Sequence, residues 1–70
     1  MCEFNRILKR ERLQKKIKMK DMAAFLGLGD DRYRKYERGD REPDLDTLLK
    51  IADYLKVSTD YLLGRYEKAE

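Results

Sequence analysis

Histidine and tryptophan are absent from this chain, and cysteine, proline and serine occur once each, as Cys2, Pro43 and Ser58. Without histidine, the side chain that most often serves as general base or zinc ligand is missing. A single Ser and a single Cys leave no nucleophile beside a base and no Cys/His cluster for a metal. Carboxylates are plentiful, but a helical domain this small has little concave interior in which to bury a pair and shift their pKa values. The inventory therefore argues against catalysis and predicts no catalytic residue, metal, cofactor or small-molecule ligand. One cysteine cannot form a disulfide within the chain, as expected of a reducing cytoplasm, and Cys2 is expected to be exposed and incidental. No apolar run approaches the ~20 residues of a membrane span and no basic-then-apolar leader precedes the first helix, so a cytoplasmic protein without a membrane partner is expected.

What is present is charge and helical periodicity. Of 70 residues, 44% are charged and 41% belong to the hydrophobic set, a balance that suits one small, helix-rich domain rather than a disordered chain. The apolar residues fall at helical spacing nearly throughout, predicting an all-α fold with its core in 4–64 and a polar tail over 65–70. The net charge is only +3, but residues 1–20 hold eight Lys or Arg against two Glu, whereas residues 21–70 hold nine against twelve acids. A basic N-terminal face is the footprint of a polyanion binder, and equally the look of a solvated helix surface.

Five helices are predicted. The first runs from about Glu3 to Lys16, with Phe4, Ile7 and Leu8 as its apolar stripe, Leu13 extending it imperfectly, and Glu11 where a core residue would be comfortable. The second, Met19 to Leu26, is expected to pack through Met22, Ala23, Phe25 and Leu26. Gly27 follows it, where a left-handed residue is typical. The third, Asp30 to Arg38, turns Tyr33 and Tyr36 inward and ends at Gly39. Asp44 caps a fourth helix with the stripe Leu45, Leu48, Leu49, Ile51, Ala52 and Leu55, and Ser58 caps a short fifth over Thr59 to Leu63, which Gly64 terminates.

Two short helices joined by Gly27-Leu28-Gly29 have the form of a helix-turn-helix. The outward face of the third helix carries Asp30, Asp31, Arg32, Arg34, Lys35 and Arg38, as a groove-reading helix would require.

Met22-Ala23, Leu26-Gly27-Leu28, Tyr36-Glu37-Arg38-Gly39, Arg41-Glu42-Pro43-Asp44 and Asp60-Tyr61-Leu62-Leu63-Gly64-Arg65 follow one another in that order. On these motifs the chain, from Phe4 to Arg65, resembles the phage-repressor-type helix-turn-helix family (Cro/CI-like, XRE). It implies a compact five-helix bundle of the lambda-repressor-like type that binds double-stranded DNA. It further implies a structural salt bridge between Arg12 and Glu37, base-reading positions at Asp30, Asp31, Arg32, Arg34 and Lys35, and phosphate-binding positions at Lys18, Lys20, Arg38 and Arg41. Phosphate contacts set affinity and register, while base-edge contacts choose sequence.

The chain departs from the family pattern in three places: Met19 stands where Gln usually bonds a phosphate, Glu11 where Leu is usual, and Asp30-Asp31 open the third helix. Two carboxylates weaken the anion-binding character of a helix N-terminus while stabilising the helix itself. A carboxylate about 6 Å from a phosphate in a water-like dielectric costs only about 0.7 kcal/mol, so the acidic tip does not decide against DNA; it predicts weak non-specific binding and a preference for cytosine. The expected function is a sequence-specific transcriptional regulator, a repressor, acting in the nucleoid of a prokaryotic or phage setting. One such domain reads few base pairs, so a homodimer on a two-fold operator is expected, with Tyr61, Leu62, Leu63 and Tyr66 as candidate dimer surface, although Leu62 and Leu63 could equally finish the core. The alternative is a protein-interaction module, an antitoxin or adaptor, using the same fold.

Overall fold

The computed structural model describes residues 3–64, which form α1 (Phe4–Gln14), α2 (Met19–Leu26), α3 (Asp30–Arg38), α4 (Leu45–Leu55) and α5 (Thr59–Leu62). Cys2, Tyr66 and the polar end over 65–70 lie outside the described residues. No helix among the described residues is long and apolar enough to cross a membrane.

The first four helices all stop the same way. In each, one residue adopts the left-handed conformation, and the amide after it bonds back five residues: Ile17 to the Arg12 carbonyl, Leu28 to Ala23, Asp40 to Lys35 and Val57 to Ala52, at 2.9–3.1 Å. These are Schellman closures, which satisfy carbonyls that the helix leaves unpaired. The left-handed residue is Gly27 (φ +72°) and Gly39 (φ +85°) in α2 and α3, but Lys16 (φ 58°) and Lys56 (φ 59°) in α1 and α4. At Gly27 only the backbone conformation asks for glycine, since a Cβ there would meet nothing within 4 Å; at Gly39 it would also press on the Asn5 amide at 3.2 Å. Because Lys16 belongs to the closure, α1 is shorter than the predicted Glu3–Lys16. The starts of α4 and α5 are capped as predicted: Asp44 accepts from the Thr47 amide at 2.9 Å and Ser58 from the Tyr61 amide at 3.0 Å. The Thr47 bonds hold the Asp44 carboxyl below its ordinary range.

The core gathers Phe4, Ile7 and Leu8 of α1, Met22, Ala23 and Leu26 of α2, Tyr33 and Tyr36 of α3, Leu48, Ile51, Ala52 and Leu55 of α4, and Leu62 of α5. Four residues of the predicted apolar stripes lie outside it, Leu13 of α1 among them at 55% exposed. Phe25 is 48% exposed, Leu49 55% and Leu45 77%. On α4 the buried arc is narrower than the stripe, so Leu45 and Leu49 fall on its flank. Phe25 instead lies on Tyr54 of α4, ring centroids 4.3 Å apart and nearly parallel, covering part of each ring without reaching the interior. Leu62 is fully buried, which corrects its candidacy for a dimer surface: its side chain completes the core.

Candidate nucleic-acid interface

The α1 stripe of Phe4, Ile7 and Leu8 continues one turn further as Glu11 and Arg12, both buried. Arg12 reaches α3. Its Nε donates to Glu37 Oε2 at 2.5 Å and its Nη2 to Oε1 at 3.1 Å, a two-pronged pair. The third prong, Nη1, donates to the Ile17 carbonyl at 2.7 Å, and the Tyr33 hydroxyl donates to Glu37 Oε2 at 2.6 Å. The two charged side chains keep only 7% and 5% of their exposure. Burial of this kind is tolerated because no buried side-chain N or O among the described residues lacks a partner. The Glu37 bond raises the Arg12 pKa above an already high value. Burial, reinforced by the Glu37 bond, drives the Tyr33 phenol far above its ordinary range, so it remains a donor. The expected Arg12–Glu37 pair is thus present in full, with Tyr33 as a third member that the sequence did not disclose.

These contacts orient α3. Tyr33 and Tyr36 face the core with their rings edge to face, centroids 6.3 Å apart, and Glu37 faces α1. The opposite side of the helix, Asp30, Asp31, Arg32, Arg34, Lys35 and Arg38, is exposed. Gly29 occupies the N-cap and offers no side-chain cap; Asp30 and Asp31 stand exposed in the first turn of the helix and act on its dipole. Asp31 accepts from Arg34 Nη1 at 3.1 Å, and Arg38 pairs with Asp40 just beyond the helix. Arg32 and Lys35 form no ion pair among the described residues. The face therefore presents one acidic residue at its tip, two cations already neutralised in part, and two unneutralised cations between them.

The four phosphate candidates are exposed too: Lys18 immediately before α2, Lys20 in its first turn, Arg38 at the end of α3 and Arg41 in the following connector. Met19, where a phosphate-bonding Gln was expected from the resemblance, is half-buried against the core.

A helix-turn-helix family model matches residues 8–62. The chain belongs to the phage-repressor-type helix-turn-helix family. Among the relatives of this family it is similar to the uncharacterized HTH-type transcriptional regulator YqaE of Bacillus subtilis, 48% identical over 60 residues, which cover 86% of this chain and 52% of that protein. It is similar also to the HTH-type transcriptional regulator ImmR of the same organism, 45% identical over 60 residues, covering 86% of this chain and 47% of ImmR. The chain thus spans about half the length of these curated relatives. Its fold matches that of the P22 c2 repressor, solved in complex with a synthetic operator, with a TM-score of 0.82 and 25% identity over 90% of this chain and 96% of that one. The helix-turn-helix of the family is here α2, the turn at Gly27–Gly29, and α3.

Proposed function

We propose that this chain is a sequence-specific DNA-binding transcriptional regulator, a repressor, that binds a two-fold operator as a homodimer with α3 in the major groove. The observation that carries the proposal is the clamp on α3. Arg12, Tyr33 and Glu37 fix one side of the helix against α1, and the side left exposed bears Arg32, Arg34 and Lys35. The names of the relatives and the operator-bound repressor that shares the fold support it. In this proposal Arg32, Arg34 and Lys35, with Asp30 and Asp31, meet base edges, while Lys18, Lys20, Arg38 and Arg41 meet phosphates. No step of covalent chemistry is involved: binding is the activity. The dimer surface is proposed around α5, where Tyr61 and, just past the helix, Leu63 are half-buried and Leu62 is spent on the core.

A salt titration tests the proposal directly. Affinity for random duplex DNA is expected to fall steeply with salt, in proportion to the phosphates neutralised; no binding at low salt by a folded protein would overturn it and leave the protein-interaction module standing.

Base and backbone contacts separate by mutation. Arg32→Ala or Lys35→Ala is expected to cost about 1–3 kcal/mol at particular base pairs and to relax the preference there. Arg38→Ala or Arg41→Ala should instead weaken binding to all sequences alike and flatten the salt dependence. If all four substitutions give the same profile across a panel of operators, the division between base and phosphate contacts is wrong.

The acidic tip has its own expected outcome. The double substitution Asp30→Asn with Asp31→Asn should raise non-specific affinity, because two repulsive charges leave the end of the helix closest to DNA. A fall in operator affinity would mean instead that the carboxylates accept hydrogen bonds from bases.

A further inference from the structure

Glu11 is the buried charge that the proposed DNA face does not use. It shares the inward face of α1 with Phe4, Ile7 and Leu8, yet its contacts run to α5, fifty residues away. The Tyr61 hydroxyl donates to Glu11 Oε2 at 2.7 Å, and Lys15 Nζ donates to Oε1 at 3.1 Å. Arg10 Nη2 donates to the same Tyr61 hydroxyl at 2.7 Å, with its guanidinium carbon 5.8 Å from the centre of the Tyr61 ring.

Helix α5 needs such contacts. It is a single turn of four residues, far below the length at which a helix holds itself in water. Its one fully buried side chain is Leu62, with Tyr61 and Leu63 packed at the edge. A lone apolar anchor fixes depth but not direction, since burial has no preferred angle. The hydrogen bonds on Tyr61 supply the direction. They also keep Glu11 ionised at neutral pH: the Tyr61 bond, followed by Lys15, holds its carboxyl below the ordinary range against the opposing effect of burial.

We propose that Glu11 is the latch of α5: through the Tyr61 hydroxyl its buried carboxylate holds the last turn onto α1, and α5 opens as a unit of its own when that contact is lost. The inference is independent of any DNA-binding role. Three amides report on it: Leu62, Leu63 and Gly64, which donate to the Ser58, Thr59 and Tyr61 carbonyls at 3.0–3.2 Å. Such bonds exchange by local opening when the turn lifts, and otherwise only by unfolding of the whole domain.

Native-state hydrogen exchange on the full chain at neutral pH decides the matter. Tyr61→Phe, which removes one oxygen, is expected to speed exchange at Leu62, Leu63 and Gly64 about tenfold, equivalent to about 1.4 kcal/mol. The Ile51 and Leu55 amides of α4 should change far less. Glu11→Ala should act on the same three amides, and the double variant should exchange no faster there than the faster single one. Equal acceleration in α4 and α5, no acceleration in Tyr61→Phe, or an additive double variant would each overturn the latch. Should Glu11→Ala fail to fold, the Tyr61→Phe profile decides alone.

Discussion

Replacing Glu37 with Ala is expected to cost about 3–5 kcal/mol of folding stability, the range found when one member of a buried ion pair is removed and its partner is left uncompensated. The structure puts Glu37→Ala at the severe end for a definite reason. The carboxylate takes three donors, two from Arg12 and one from Tyr33. Its loss leaves a guanidinium and a phenol without their main partner, in a site where only the Ile17 carbonyl still accepts from Arg12. Small domains have total stabilities of about 5–15 kcal/mol, and at this size each kcal/mol lowers the melting temperature by about 4–8 °C. The variant should therefore melt near or below ordinary growth temperatures. Circular dichroism melts check this, and a shift of less than about 5 °C would show that the pair contributes little. The companion experiment separates stability from orientation. Arg12→Met with Glu37→Leu removes both charges, and exchange of a buried pair for apolar side chains is often neutral or stabilising. That double variant should fold. If the pair matters for aiming α3, it should still bind the operator more weakly than the native chain.

The second large effect separates the true core of α4 from its apparent one. Ile51 is fully buried and Leu49 is more than half exposed, although they stand two residues apart on one predicted stripe. Ile51→Ala should cost about 2–5 kcal/mol, through lost transfer energy and the cavity left behind. Leu49→Ala should stay within about 0.5 kcal/mol, as surface substitutions do. Chemical denaturation of both variants checks the contrast, which a pattern-based core would not predict. A large loss in Leu49→Ala as a monomer would mean that this flank of α4 is covered in solution.

That contrast shows where sequence reasoning carried and where it stopped. The bounds of α2 and α3 were legible because glycines sit where the chain must turn left-handed, at Gly27 and Gly39, and the starts of α4 and α5 because Asp44 and Ser58 are strong caps. The ends of α1 and α4 carry no such mark, since lysines take the left-handed position there. Periodicity says which way a residue points but not how wide an arc the neighbouring helices cover, so the pattern alone puts Leu45, Leu49 and Phe25 inside. The Arg12–Glu37 pair was available only through the family resemblance, because 25 residues separate its members and no local spacing joins them. Glu11 was visible as an oddity on an apolar stripe. Its partner could not be found from sequence, because the Tyr61 contact exists only after five helices have packed.

Helix α3 is secured unevenly along its length. Tyr33, Tyr36 and Glu37 grip its middle and far end, whereas its first residues, Asp30, Asp31 and Arg32, are exposed and follow the turn at Gly27–Gly29. Mechanically, the base of the helix is clamped by side chains and its tip is held through the turn from α2. The base sets the angle at which α3 projects from the domain. Loosening the base should therefore turn the whole exposed face of α3 at once, whereas a substitution at the tip should act only where it stands.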